Sequence, residues 1–383
     1  MKLVVSGGGT GGGVYPAVTV VETLLQPKPA GSTLPTLAPA DVLWIGSRGG
    51  IEEELVRRAG LQFVGLAAGG LRGMGLLVTA RNAARIAGSV GQARRLLARF
   101  QPDVGLVTGG YACVAVTLAA RTLSVPVVIY LPDIVPGLAI RFLSRFATQV
   151  AVTSEESFHY LPFKKVVVTG YPVRREIFGL DRLQARQALG LDPAEKTLLV
   201  FGGSRGARSI NRALVAGLRD LLPLCQVLHI SGRLDADWVA GAARSLPEGL
   251  RPRYHHFDYL HDMPQALVAA DLAVARAGAA TLGEFPAAGL PAILVPYPYS
   301  GQHQQPNADY MARNGAARLL ADPDLEKKLV PTVIELLGDD RTLAAMREAA
   351  RAMARPDAAE TIAGLLERGA RHTEKDTKRW YRS

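Results

Sequence analysis

The chain alternates short, mostly apolar runs with longer stretches of helical periodicity. Apolar runs fall near residues 2–6, 41–45, 61–66, 103–107, 126–130 and 149–152, then near 197–202, 225–230, 252–256, 271–275, 291–295 and 317–320. The two that run into glycines, 2–6 and 197–201, are the mark of strands buried on both faces, as in a parallel sheet covered by helices. The intervening segments carry a period near 3.6, and a βαβα alternation of this kind predicts an α/β fold with helices on both sides of each sheet. Pro27, Pro29, Pro35 and Pro39 cannot continue a helix, so the 26–40 segment predicts an exposed loop in the first crossover. From Leu325 to about Glu367 the pattern is helical, with breaks near Gly338 and Pro356, and the basic tail 368–383 predicts a frayed, solvated end.

Two of the apolar runs end in the same way. Lys2-Leu-Val-Val-Ser6 runs into Gly7-Gly-Gly-Thr-Gly-Gly-Gly13, and Thr197-Leu-Leu-Val-Phe201 runs into Gly202-Gly-Ser-Arg-Gly206, each followed by a helical stretch (Val14 to Leu25; Ala207 to Leu218). Glycines at such a junction let backbone approach a phosphate, and the free N–H groups of the helix start favour negative charge. Two junctions predict two Rossmann-like domains facing one another across a cleft, and 383 residues are enough for two cores. The Gly/Pro-marked stretch Val166-Val-Val-Thr-Gly-Tyr-Pro-Val-Arg-Arg175 is the expected hinge. It divides the chain into 1–168 and 169–349, with a helix over 350–367 expected to rejoin the first domain.

Composition narrows the class. Apolar residues at 48% and charged residues at 20% describe a globular protein, and the two cysteines, Cys113 and Cys225, lie in apolar stretches of different halves, as reduced core residues do. The first strand begins at residue 2, which leaves no room for a signal peptide, and no apolar stretch reaches the roughly 18 residues needed to span a bilayer. A net charge of +10 favours anionic partners, whether nucleic acid, acidic lipid or a phosphate-bearing substrate.

Gly7-x-Gly9-x-x-Gly12 matches the dinucleotide fingerprint, which raises an oxidoreductase reading. The second strand ends without an acid to hold an adenosine ribose, although Arg48 beside it suits a 2′-phosphate. Six glycines in seven residues exceed what a tight turn needs and predict a nest of amides around an anion. In the second half, Gly202 to Ala207, Tyr259 to Met263, Ala275 to Glu284 and Gly301 to Ala308 each follow a predicted strand, where open α/β sheets bind ligands. Asp235-Ala-Asp237 spells the metal-binding Asp-x-Asp of many glycosyltransferases, but it stands at a polar helix start and reads as a cap.

Several short motifs then occur in one order: the N-terminal glycine run, Leu71-Arg-Gly73, Gly109-Gly-Tyr111, Gly170-Tyr-Pro-Val-Arg174, the Gly-Gly-Ser-x-Gly-Ala turn, Arg276-Ala-Gly-Ala279, Ala287-Ala-Gly-Leu-Pro291 and His303-Gln-x-x-Asn307-Ala308. In this the chain resembles the MurG family, from about residue 2 to 365. These are inverting GT-B glycosyltransferases that move N-acetylglucosamine from UDP-N-acetylglucosamine to undecaprenyl-pyrophosphoryl-muramoyl-pentapeptide (lipid I), forming lipid II for peptidoglycan. The resemblance implies donor binding in the second domain: Glu284 on the ribose hydroxyls, Gly203, Ser204, Gly206, Ala279 and Thr281 at the pyrophosphate, backbone near Leu260 on the uracil, His303 and Gln304 on the sugar, and Arg174 at the hinge. It implies acceptor pyrophosphate binding by Gly9, Thr10, Gly11, Gly12, Gly13, Gly110 and Tyr111. No metal or other cofactor is expected, since helix termini can neutralise the leaving diphosphate, and no nucleic acid.

Two departures fall in the acceptor half. Gly13 stands where the family has a histidine that is a candidate base, and Leu131-Pro-Asp133 replaces a Glu-Gln-Asn. Transfer by single displacement needs a base within hydrogen-bond reach of the acceptor hydroxyl. Asp133 is the expected catalytic base, with a helix-capping role as its alternative, and His159 lies in a stretch unlike a site. These departures also leave room for a different lipid acceptor, or for a scaffold that binds without turnover. Leu71 to Leu77 with Arg81, Arg85, Arg94, Arg95 and Arg99 suggests contact with an anionic membrane at its cytoplasmic face, or else an ordinary helix with a solvated basic face. The resemblance extends the expected partners to other cell-wall synthesis proteins.

Overall fold

The computed structural model describes all residues except 9–10, 29–30, 67–75, 162, 204–205, 300–303 and 381–383, and leaves aside the side chains at 51, 76–86, 163 and 372–380. The chain divides into two compact units, Met1–Pro172 with Asp357–Ser383, and Val173–Pro356. It leaves the first unit within the expected hinge. It returns at Asp357, later than the residue 350 expected from sequence.

The first unit holds strands β1 (Leu3–Gly7), β2 (Val42–Ser47), β3 (Gln62–Leu66), β4 (Val104–Gly109), β5 (Val127–Leu131), β6 (Gln149–Val152) and β7 (Val166–Val168). Helices α1 (Gly11–Leu25), α2 (Ile51–Arg58), α3 (Leu76–Phe100), α4 (Tyr111–Thr122) and α5 (Leu138–Leu143) connect them. The sheet order is β3-β2-β1-β4-β5-β6-β7, with every pairing parallel. Strand order reverses between β1 and β4, and the first glycine turn leaves the sheet at that point, where open sheets leave a crevice.

The second unit runs through α6 (Arg182–Ala188), β8 (Thr197–Phe201), α7 (Arg208–Leu221), β9 (Gln226–Ile230), α8 (Ala236–Arg244) and β10 (Tyr254–Phe257). It continues through α9 (Met263–Ala269), β11 (Leu272–Ala275), α10 (Glu284–Ala288), β12 (Ala292–Leu294), α11 (Gln304–Arg313), β13 (Ala317–Leu319), α12 (Leu325–Gly338) and α13 (Asp340–Met353). Its sheet, β10-β9-β8-β11-β12-β13, is also parallel and reverses at β8, so the second glycine turn sits at a switch point too. Its central strands are largely apolar because helices cover both faces: Leu198, Val200, Val227, Leu272, Val274 and Ile293 are all fully buried.

At the end of this sheet remote from its glycine turn, Asp271 gathers charge. It meets Arg182 at 2.6 Å, Arg186 at 2.5 Å and the Thr197 N–H at 2.8 Å. Breaking a partly buried cluster of this kind costs several kcal/mol, so this end carries stability.

Two sequence expectations change. The helix after Pro356, α14 (Ala358–Trp380), runs on through most of the tail expected to be frayed. The segment from Glu367 to Trp380 contains no proline, and Arg371 pairs with Glu367 one turn away, which favours continued helix. α14 packs on α1, with Ile362, Ala363, Leu365 and Leu366 buried, and so belongs to the first unit. Within the 26–40 loop Leu37 is buried, its N–H donating to Leu24, while most described neighbours are exposed.

Candidate active site

In the second unit, β8 ends at Phe201 and α7 opens at Arg208, leaving the glycine turn between them. Gly206 has φ of +75°, and a methyl group on its α-carbon would run into the Ser231 carbonyl oxygen at the end of β9, so only glycine closes this turn. Its N–H returns to the Gly203 carbonyl at 2.9 Å. The residue before α7, Ala207, offers no side-chain cap to the first N–H groups of this 14-residue helix, which begins just after the turn. Gly203 is exposed and open around its α-carbon; Ser204 lies outside the described residues.

Glu284 is the first residue of α10 and is partly buried. Burial pushes its carboxyl up to about 7, and the Arg174 guanidinium opposes that rise. Arg174 itself is exposed and pairs with Glu176 at 3.1 Å. The structure thus brings Arg174 and Glu284 into one electrostatic neighbourhood, a link that sequence distance conceals. Thr281 is buried, and its hydroxyl donates back to the Gly278 carbonyl at 2.7 Å, so its side chain closes its own turn. Ala279 is buried beside it, whereas Gly278 is open around its α-carbon. Leu260 is half-buried in the loop between β10 and α9.

His303 lies outside the described residues, and Gln304 opens α11 with its side-chain oxygen accepting the Tyr297 N–H at 2.9 Å. Asn307, fully buried, donates to the Ala277 carbonyl at 3.1 Å and anchors α11 to the segment after β11. Arg276, which the motif contains without revealing its role, pairs with Asp322 at 2.5 Å, donates to Ser209 at 2.8 Å and stacks on Tyr297. It ties the end of β11 to the start of α7.

Asp235 corrects one expectation. It stands at the start of α8 but makes no side-chain cap; its carboxylate instead accepts from Arg208 at 2.7 Å and from the Asn211 amide at 2.9 Å. Hydrogen bonds from Trp238, Arg208 and Asn211 outweigh its desolvation and lower its pKa. Among the described residues no group of three or more His, Cys, Asp or Glu could hold a metal ion.

In the first unit, Gly9 and Thr10 lie outside the described residues, and α1 begins at Gly11, earlier than sequence periodicity suggests. Pro16 within α1 has no N–H to give to the Gly12 carbonyl, and Tyr171 donates its hydroxyl there at 3.4 Å. A Cβ on Gly13 would stand 3.5 Å from the Thr108 carbonyl, an ordinary contact, so the backbone accepts a side chain at the departing position. Gly8 donates to Gly109 at 3.1 Å and joins the first glycine turn to the Gly109-Gly110 turn, from which Tyr111 projects half-exposed.

Two residues beneath this turn escape sequence reasoning. Glu52 is buried, accepts the Ser47 N–H at 2.8 Å and packs against Gly8, Gly46 and Gly50. Its position in a run of three glutamates gives no sign that the first is buried. Thr108 is buried beside Gly7, and its hydroxyl has no hydrogen-bond partner among the described residues. Cys113 also lies here, donating to Gly109 at 2.7 Å, and burial pushes its thiol up to about 11.

Asp133 is half-buried between β5 and α5. The capping alternative is not what the structure shows, because α5 starts at Leu138 with Gly137 as its N-cap and has no side-chain cap. His159 is exposed in the short 3-10 turn Glu155–Tyr160, away from any strand end.

Of the apolar and basic row read from sequence, residues 71–75 and the side chains of Arg81 and Arg85 lie outside the description, while Arg94, Arg95 and Arg99 are exposed. Sequence reading misses a second patch at α5. Leu138 is 88% exposed, Phe142 45% and Phe146 38%, with exposed Arg141 and Arg145 between them.

Comparison with known proteins agrees with this geometry. Residues 3–152 match the glycosyltransferase family 28 N-terminal domain and residues 197–362 its C-terminal domain. A Roseiflexus sp. protein named UDP-N-acetylglucosamine--N-acetylmuramyl-(pentapeptide) pyrophosphoryl-undecaprenol N-acetylglucosamine transferase is 45% identical over 94% of this chain and 93% of its own. A protein of the same name from Desulforudis audaxviator is 38% identical over 96% and 98%. The crystal structure of Acinetobacter baumannii MurG aligns with a TM-score of 0.73 at 25% identity, covering 96% of this chain and 100% of that one. The chain belongs to glycosyltransferase family 28 and, within it, to the MurG family of N-acetylglucosamine transferases, with two Rossmann-like units of the GT-B class.

Proposed function

We propose that the protein transfers N-acetylglucosamine from UDP-N-acetylglucosamine to the muramoyl hydroxyl of lipid I, with inversion, releasing UDP and forming lipid II. The observation that carries this reading is Glu284 with Arg174 in its electrostatic neighbourhood, in the unit whose glycine turn precedes an uncapped helix start. A carboxylate has two oxygens to accept both ribose hydroxyls. The amides of Gly203 and Gly206, with the start of α7, suit the diphosphate and neutralise the charge that grows on it as UDP departs, without a metal. Arg174, exposed beside Glu284, adds positive charge. The oxidoreductase alternative rested on one glycine pattern and is overturned by family membership.

In the reaction the acceptor oxygen attacks the anomeric carbon, the bond from that carbon to the UDP oxygen breaks, and the hydroxyl proton passes to the Asp133 carboxylate. With Gly13 in place of a histidine, Asp133 is the base this unit offers after β5. Membrane contact follows from the acceptor's lipid tail. The α5 patch and the exposed arginines of α3 suit an anionic surface at its cytoplasmic face, each well-placed cation contributing about 1 kcal/mol. No helix among the described residues is long and apolar enough to cross a membrane.

Incubating the protein with radiolabelled UDP-N-acetylglucosamine and lipid I in anionic vesicles tests the proposal. Label moving into a lipid product is expected. Donor binding without transfer to lipid I would sink the acceptor assignment and favour a different lipid alcohol, a reading the Gly13 and Leu131-Pro-Asp133 departures make specific.

A further inference from the structure

Beneath the second glycine turn lies a buried chain of polar side chains that the mechanism above does not use. Asn211 and His229 are fully buried. The Asn211 amide donates to the Ser231 carbonyl at 2.8 Å and to the Asp235 carboxylate at 2.9 Å. Both of its hydrogens are then used, and its side-chain oxygen must accept. That oxygen meets His229 Nε2 at 3.0 Å, so Nε2 carries the hydrogen, and His229 Nδ1 accepts from the Tyr254 hydroxyl at 2.6 Å. Each polar atom has one role, and turning the amide over would set its oxygen against the Asp235 carboxylate. Burial pushes His229 down to about 3, with His256 adding to the shift and Asp235 opposing it, so the ring stays neutral in this assignment.

The chain ends at a functional surface. The Ser231 carbonyl that Asn211 holds is the atom that a methyl group on the Gly206 α-carbon would strike, so it lies against the turn. Ser231 is fixed from the other side as well, its hydroxyl 2.8 Å from His256 Nε2 and its N–H donating to Phe257 at 3.0 Å. The start of α7, the end of β9 and the strand β10 are thereby tied together beside Gly206.

We propose that Asn211 and His229, with Tyr254 and Asp235 at the ends of their chain, are positioning residues for the diphosphate-binding turn. This rests on the donor reading above. Their contribution lies in orienting the turn before the donor arrives, so that its loss falls on donor affinity more than on the chemical step.

Steady-state kinetics with UDP-N-acetylglucosamine as the varied substrate, together with calorimetric titration of the same donor, test this on the full chain. For His229→Leu, the donor KM and Kd should rise about tenfold with kcat within about threefold. For His229→Gln, whose amide N–H can replace Nε2, most of the affinity should return. Should His229→Leu fail to fold, Tyr254→Phe removes only the outermost hydroxyl and should raise the donor KM about threefold with kcat unchanged. Unchanged donor affinity in the folded variants would overturn the proposal, as would a loss confined to kcat or one that His229→Gln does not recover. If the wild type itself bound no UDP-N-acetylglucosamine, the donor reading would fall first, and the two failures are told apart by that control.

Discussion

The two glycine turns share a sequence pattern and a place in their sheets, yet they rest on different foundations. Under the second turn every polar side chain of the Asn211–His229–Asp235 group has a partner. Under the first turn the Thr108 hydroxyl is buried without a partner among the described residues, and a buried carboxylate, Glu52, is packed against glycine α-carbons. A fully bonded base suits a site that reads one nucleotide. The first turn lies in the unit that holds Gly13 and Asp133. The shared pattern therefore marks two equivalent places in two sheets, while the side chains beneath them differ in how fully they are bonded.

Variants can break this comparison in order of effect. Glu284→Ala should lower kcat/KM for UDP-N-acetylglucosamine by roughly 100- to 1,000-fold, the loss of two hydrogen bonds to a charged group. A smaller change, measured with lipid I saturating, would mean that the ribose is held elsewhere. Asp133→Asn should reduce kcat by roughly 100-fold and leave donor KM within about twofold, as loss of a general base does. Full activity in that variant would remove the base assignment.

Gly206→Ala should destabilise the protein by about 2 to 4 kcal/mol in denaturant melts, through its collision with the Ser231 carbonyl and its left-handed backbone. Gly203→Ala, also left-handed but open around its α-carbon, should cost about 1 kcal/mol. Equal effects would show that the turn does not close on β9 as described.

The Glu284 carboxyl also sharpens the contrast through pH. Its folded form titrates near about 7 against an ordinary value of 4.5. Since the ionised form accepts the ribose hydroxyls, donor KM should fall about tenfold between pH 6 and 8. Linkage gives the opposite sign for stability. Between those two pKa values the folded chain keeps a proton that the unfolded chain has released, so the residue's contribution is full below 4.5 and lost as pH rises through 7. Glu284→Gln should accordingly gain roughly 3 kcal/mol over wild type at pH 8 and nothing at pH 4. The smallest effect belongs to Gly13→Ala, which fills ordinary space inside α1 and should stabilise by up to about 1 kcal/mol.

Strand positions and the parallel class were legible because burial on both faces leaves an apolar run at strands such as β1 and β8. The predicted run at 197–202 and the observed Thr197–Phe201 differ by one residue. Glycine turns were legible because few residues other than glycine permit them. Sequence did not show the supports. Glu52 reads as one of three surface glutamates until Gly8, Gly46 and Gly50 close over it, and Thr108 reads as the last polar residue of a strand. His229 carried a faint signal, since a ring that must be bonded interrupts the apolar run Val227-Leu-His-Ile230, but its partners come from α7 and β10. Asp235 misled for a related reason: a residue at a helix start usually caps it, whereas here Arg208 and Asn211 claim the carboxylate first.

The central claim assigns the nucleotide to the second unit and the acceptor chemistry to the first. Calorimetric titration of UDP-N-acetylglucosamine into the wild type, Glu284→Ala and Asp133→Asn measures it directly. Wild-type affinity in Asp133→Asn beside at least a hundredfold loss in Glu284→Ala is the expected result, and intact binding in Glu284→Ala with loss in Asp133→Asn would contradict it.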